Sequence, residues 1–219
     1  MPRPWKELYR VDNVPWVIWP FWFAISVIIG WSQYYLIHVL PHITSRVEIL
    51  GKDPRQSHTP AIYAIWHSEI FALFTALRKM PGLVGLNHPL WYMKPTHVLL
   101  KRFGVERLFL GSTGHSGKEA AQRLAQFLRT HQNSTFINPD GPSGPYHELK
   151  KGVLHIAAQS GLPVVAIQVR ATRAIRMGGW DRKLFPLPFS HIQVQVAEPV
   201  YVNTDNFAQA EAELKIGLG

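Results

Sequence analysis

From Val14 to Leu40 the chain runs for 27 residues without an Asp, Glu, Lys or Arg (VPWVIWPFWFAISVIIGWSQYYLIHVL). An α-helix needs roughly 20 apolar residues to cross a hydrocarbon core. Trp16, Trp19, Trp22, Trp31, Tyr34 and Tyr35 lie toward the two ends of the run, as suits rings that prefer the headgroup level, and Arg3, Lys6 and Arg10 precede it. The run is too long and too rich in Trp for a signal peptide, and no small-residue cleavage site follows. Pro15 suits a helix start, whereas Pro20 predicts a bend, so a kinked span and a shallow re-entrant hairpin both fit. Arg46, Lys52 and Arg55 balance the near side, which leaves orientation open. Residues 1–44 therefore read as a membrane-anchoring segment and residues 45–219 as a separate domain.

Beyond the anchor, short strand-like runs alternate with longer helical ones. The pattern predicts strands at Arg46–Leu50, Ile62–Trp66, Leu83–Leu86, Val105–Leu110, Thr135–Asn138, Pro163–Val169 and Ile192–Val196. It predicts helices at Ser68–Lys79, Tyr92–Phe103, Gly117–His131, Lys151–Ser160 and from about Asp205. Such alternation implies an α/β domain, a mostly parallel central sheet flanked by helices. At 219 residues the chain has room for one such domain with a sizeable core.

Composition narrows the function classes. Charged residues are 17% of the chain against about 25% in an average soluble domain, and apolar residues 47%, which excludes disorder and favours a membrane-associated life. Without Cys there is no disulfide, thiol nucleophile or Cys-based metal site, and no metal ligation is expected. The net charge of +9 is concentrated between residues 61 and 183, so this part faces something anionic. No basic run interleaved with aromatics is present, so a basic membrane face accounts for the charge without nucleic acid.

Four places combine chemistry with a strand's carboxyl end, where open α/β sheets bind ligands. His67 directly follows an apolar run; an imidazole there suits a general base, with Trp66 limiting water access, and its bland alternative is a capping or half-buried histidine. Asn138-Pro139-Asp140-Gly141-Pro142-Ser143-Gly144-Pro145 holds two Gly and three Pro, which fix a rigid loop with exposed amides. Such a loop cradles a phosphate, helped by Lys150 and Lys151 at the next helix start, or is an ordinary tight turn. Gly111-Ser112-Thr113-Gly114-His115-Ser116-Gly117-Lys118 only superficially resembles a nucleotide loop, because that template needs Gly where Ser116 stands; anion binding by its hydroxyls and helix start remains open. Arg170, Arg173 and Arg176 follow a strand on the same edge and suit phosphate recognition, solvated loop charge being the alternative.

The ordered set WHSE (Trp66–Glu69), FLGST (Phe109–Thr113), NPDGPSGP (Asn138–Pro145) and GLPVVAIQV (Gly161–Val169) resembles the lysophospholipid acyltransferase superfamily. That superfamily includes the 1-acylglycerol-3-phosphate acyltransferases, and the likeness is nearest a bacterial-type subgroup with a DGPxGP loop. It spans about Ala61 to Pro199. The resemblance implies His67 as the base that takes a proton from an acceptor hydroxyl. It implies a substrate site shaped by Gly111, Ser112 and Thr113 with Gly141, Pro142, Ser143 and Gly144, and a structural block at Pro163–Val164.

Two positions depart from the family pattern. The Asp that the family places five residues after the His is Ala72 here, leaving Asp140, Glu69 or a backbone carbonyl to orient the ring. The basic residue common in the third block is Ser143. Lys150, Lys151 or Arg173 then supplies the missing charge, or the acceptor lacks a glycerol phosphate.

The expected activity is transfer of a fatty acyl group from acyl-CoA or acyl carrier protein to a lysophospholipid or related hydroxyl, with no bound cofactor. The expected place is a membrane, at the cytoplasmic face of the inner membrane, with membrane lipids and the acyl donor as partners; oligomeric state is open. The competing expectations are a membrane esterase or thioesterase, against which no Gly-x-Ser-x-Gly elbow occurs, and an inactive lipid-binding protein of the same fold.

Overall fold

The computed structural model describes residues 9–80, 82–111 and 116–219. Its centre is a sheet of seven strands in the order β1-β9-β6-β2-β5-β3-β4. The strands are β1 (Arg46–Leu50), β2 (Ile62–Ala64), β3 (Leu83–Asn87), β4 (Val105–Leu110), β5 (Ser134–Ile137), β6 (Val164–Ala171) and β9 (His191–Val196). Strands β2 to β6 are mutually parallel, while β9 and β1 pair in parallel with each other and β9 lies antiparallel to β6. The expected mostly parallel sheet flanked by helices is the observed fold.

Successive side chains of a strand point to opposite faces, and β2 and the first half of β6 are apolar and buried on both. Ile62, Ala64 and Trp66, with Val164 and Ala166 beside them, enter the core under α5 (Gly117–His131), α6 (Gly152–Ser160) and α7 (Phe207–Leu218). Tyr63 and Ile65, with Val165, Ile167 and Val169, enter the core under α3 (Ile70–Leu77). Helix α5 shows why this works: Ala120, Leu124, Ala125 and Leu128 recur at helical spacing and are buried, while its other side is polar. Leu124, Leu128, Leu154 and Leu214 are fully enclosed, each contributing roughly 1.5–3 kcal/mol of transfer free energy.

Elements fall where the pattern predicts them, with local differences. Helix α3 covers Ile70–Leu77 only, because the backbone from Trp66 to Glu69 forms a tight turn closed by the Glu69 amide on the Trp66 carbonyl, 2.9 Å. Strand β6 runs on to Ala171, so Arg170 lies inside it. A two-stranded antiparallel hairpin, β7 (Ala174–Arg176) with β8 (Leu184–Pro186), is additional to the sequence expectation.

The apolar N-terminal run forms α1 (Trp19–Gln33), which continues through a π-helical stretch, Tyr34–Val39, into α2 (Leu40–Thr44). Pro20 does not bend it: the helix starts at Trp19, so Pro20 occupies the first turn, where an amide proton has no helical partner anyway. One side of this helix docks along the domain. The Trp22 indole donates to the Trp91 carbonyl, 3.1 Å, and His38 Nδ1 lies 2.9 Å from the Thr75 hydroxyl. Between them, Gly30 lets the helix approach α4 (Lys94–Arg102) so closely that a Cβ there would stand 2.7 Å from Val98 Cβ. The opposite side presents Phe21, Ile25, Ile28, Leu36 and Ile43, all more than half exposed.

Candidate active site

The parallel strands β2 to β6 end on one edge of the sheet, and that edge gathers the chemistry. His67 follows β2, Gly111 follows β4 and the Asn138–Pro145 loop follows β5. The alternation that sends Tyr63 and Ile65 to the α3 side also sends His67 there, while Trp66 turns toward α6. Asn138 Nδ2 donates to the Ile65 carbonyl, 2.9 Å, tying the loop to the turn that carries His67.

Asp140 is fully buried at this junction, its carboxylate accepting the backbone N–H of His67 at 3.1 Å (Oδ1) and 3.4 Å (Oδ2). Burial pushes its carboxyl up to about 6, although the backbone N–H groups of His67, Asp140 and His147 and the charge of Lys150 pull the other way. Asp140 therefore secures the turn on which His67 stands and does not hold the ring. Glu69 does not hold it either. Its carboxylate accepts the Val169 amide, 2.7 Å, and burial pushes it up to about 7 against the pull of that hydrogen bond and of Arg176 and Arg170.

The ring is held by Asp181, which lies between β7 and β8: His67 Nδ1 stands 2.7 Å from Asp181 Oδ2. Lys183 Nζ bonds the same carboxylate oxygen. Burial would raise the Asp181 carboxyl, but the Lys183 hydrogen bond and charge, with His67, carry it below the ordinary range. An ionised carboxylate only accepts hydrogen bonds, so Nδ1 carries the proton and Nε2 keeps its lone pair. Burial, then the Lys183 charge, push the imidazole down to about 4 against the upward pull of Asp181, so it is neutral at pH 7. Trp180 stacks on the ring, centroids 5.2 Å apart and planes at 12°.

A cleft of about 790 Å³ opens beside His67. Phe71, Phe74, Leu99, Leu100 and Phe136 give it an apolar wall, while Gly111, Lys118, Gly141, Pro142, Lys150 and Lys183 line its polar parts. Of the sequence candidates, His67, Gly111, Gly141, Pro142 and Lys150 thus share one cavity. Ser112 and Thr113 lie outside the described residues. Ser143 and Lys151 are solvent-exposed. Arg173 is exposed too, and its backbone amide is bound by the Ser190 hydroxyl, 3.2 Å.

Gly144 packs against Trp180. It is buried at a φ of +68°, and a Cβ there would stand 2.6 Å from the Trp180 ring, so the glycine makes room for the indole that covers His67. Lys150 Nζ donates to its carbonyl, 2.5 Å. On the other side of the loop His147 stacks between Trp66 and Tyr146, its Nε2 3.0 Å from the Ser68 hydroxyl.

No family model matches the sequence. The chain is 27% identical over 202 residues to a protein of Rickettsia prowazekii (strain Madrid E) described as uncharacterized, the match covering 87% of this chain and 89% of that one. Its fold is similar to that of the crystal structure of the 1-acyl-sn-glycerophosphate (LPA) acyltransferase PlsC from Thermotoga maritima. The TM-score is 0.52 at 16% identity, over 90% of this chain and 78% of the other.

Proposed function

We propose that the protein is a membrane-associated O-acyltransferase that moves a fatty acyl group from a thioester donor, acyl-CoA or acyl carrier protein, to the hydroxyl of a lysophospholipid or related lipid. The observation that carries this reading is a neutral imidazole, held at Nδ1 by Asp181, beside a largely apolar cleft of about 790 Å³. His67 Nε2 takes the acceptor's hydroxyl proton as the oxygen attacks the thioester carbonyl carbon. The tetrahedral adduct then expels the thiolate, and the imidazolium returns the proton to sulfur. The lowered pKa keeps the imidazole unprotonated at neutral pH, in the form that accepts a proton. The aromatic wall suits an acyl chain, while Lys118, Lys150 and Lys183 favour an anionic acceptor or donor group. The shared fold with an LPA acyltransferase supports the same reaction class, and the DGPSGP loop supports the subgroup that the sequence resembles.

The N-terminal helix, in this reading, seats the enzyme in one leaflet and does not cross the bilayer. Trp19–Thr44 is long and apolar enough to span. It is, however, docked from Trp22 to His42 on the Thr75 and Trp91 regions of the domain. A crossing would drag α4, with Lys94, Lys101 and Arg102, toward hydrocarbon, at about 2.5–3.5 kcal/mol per charge. Lying in the interface instead buries Phe21, Ile25, Ile28 and Leu36 in lipid and leaves the docked side intact. The proposed location is the cytoplasmic face of the inner membrane.

The test supplies purified full-length protein with labelled acyl-CoA or acyl carrier protein and a panel of lysolipids. Acceptor-dependent formation of a labelled diacyl lipid is expected. Release of free fatty acid without acceptor would make the protein a thioesterase or esterase, and tight lysolipid binding without turnover of any donor would make it a lipid-binding protein.

A further inference from the structure

The family that the sequence resembles orients its histidine with a carboxylate five positions on, and that position here is Ala72, fully buried in the core under α3. We propose that Trp180 and Asp181, on the hairpin β7–β8, are the positioning residues that replace it, fixing the plane, the rotation and the tautomer of His67 from the far end of the domain sequence. The inference rests on the reading of His67 as the base.

Three observations support it. The hairpin is anchored next to the residue it serves, since the Leu184 amide donates to the Ser68 carbonyl, 2.7 Å, and Leu184 is buried in the α3-side core. The indole and the carboxylate restrain different motions: Trp180 covers one ring face, and Asp181 binds one ring edge. Gly144 gives the indole its space, so the DGPSGP loop serves the base through Trp180.

Lys183 makes the role of Asp181 sharply testable. Its ammonium bonds Asp181 Oδ2, the oxygen that also holds His67. An ammonium only donates. With Asp181 truncated, the donor left beside the ring is Lys183, which favours a lone pair at Nδ1 and moves the proton to Nε2. The imidazole would then face the cleft with its N–H, unable to accept a proton. Among the described residues, the charged groups at the His67 ring and amide are Asp181 and Lys183 from the hairpin and Asp140, and Lys118 and Lys150 line the same cleft.

The test is a long-range proton–nitrogen spectrum of the full-length protein labelled with 15N-histidine, in detergent, the His67 signals being those absent from His67→Gln. Wild type should show the proton on Nδ1; Asp181→Ala should show it on Nε2. In Asp181→Ala, kcat should fall about 10²- to 10⁴-fold with KM changed far less. Asp181→Glu should restore part of the rate, and Lys183→Met should raise the His67 titration midpoint, moving the acid limb of kcat/KM to higher pH. An unchanged tautomer together with unchanged kcat in Asp181→Ala would overturn the proposal. So would an unmoved His67 titration in Lys183→Met, which decides the matter if Asp181→Ala does not fold. A tautomer that switches in a protein with no acyl transfer would instead uphold the positioning role and sink the proposed reaction.

Discussion

Replacing Glu69 by Gln should make the protein more stable at alkaline pH, and the gain can be worked from the site. Burial pushes the Glu69 carboxyl from an ordinary 4.5 up to about 7, against the Val169 amide and the charges of Arg176 and Arg170. A carboxyl raised on folding binds its proton more tightly in the native state than in the unfolded chain. Its ionisation therefore opposes folding: the cost is absent below the unfolded value, grows between about pH 4.5 and 7, and is full above that. At 1.36 kcal/mol per unit the full cost is about 3 kcal/mol, an upper bound for a group that keeps some solvent contact. Gln cannot ionise, has nearly the same shape, and its Oε1 can still accept the Val169 amide, 2.7 Å in the native protein. Glu69→Gln should thus match wild type near pH 4 and exceed it by up to about 3 kcal/mol at pH 8 to 9, raising Tm by roughly 6–12 °C. Paired thermal and guanidinium unfolding across pH 4 to 9 checks this. A difference that is flat with pH, or a variant less stable at pH 8, would refute burial as the cause.

Gly144→Ala should cost about 2–4 kcal/mol in urea unfolding, through a left-handed backbone and an indole forced off His67; a loss under about 0.5 kcal/mol would show that the loop yields freely. Ile28→Asp should leave Tm unchanged, because the side chain is exposed, yet weaken flotation with anionic vesicles about 100-fold. Brominated-lipid quenching should place Trp16 and Trp19, both exposed, at a shallow depth in one leaflet; quenching deepest at the bilayer centre would favour a crossing.

Much of the architecture is legible in the sequence because β2 and β6 are short apolar runs closed by polar turns, and because α5 repeats its buried residues at helical spacing. Those runs place His67, Gly111 and Asp140 on one edge, since parallel strands must end together. The partner of the His67 ring is not legible that way. Asp181 sits between three-residue strands in ATRAIRMGGWDRKLFPLP, where no alternation marks an element, and its approach to His67 depends on a contact spanning 114 positions. The neighbouring arginines draw attention by charge, yet the Trp-Asp pair beside them touches the ring. Glu69 shows the converse: it is only two positions from His67, but its carboxylate is aimed at β6. For the N-terminal helix, an apolar surface all round cannot distinguish lipid from protein contact. Only the structure shows the docked side, where Gly30 lies against Val98.

The central claim is that the Nε2 lone pair of His67 accepts the proton of an acceptor hydroxyl. The most direct measurement compares steady-state acyl transfer by wild type and His67→Gln at pH 7.5, with lysolipid binding measured alongside. The account predicts a fall of about 10²- to 10⁴-fold in kcat with lysolipid affinity preserved. Transfer at the wild-type rate in His67→Gln would contradict it.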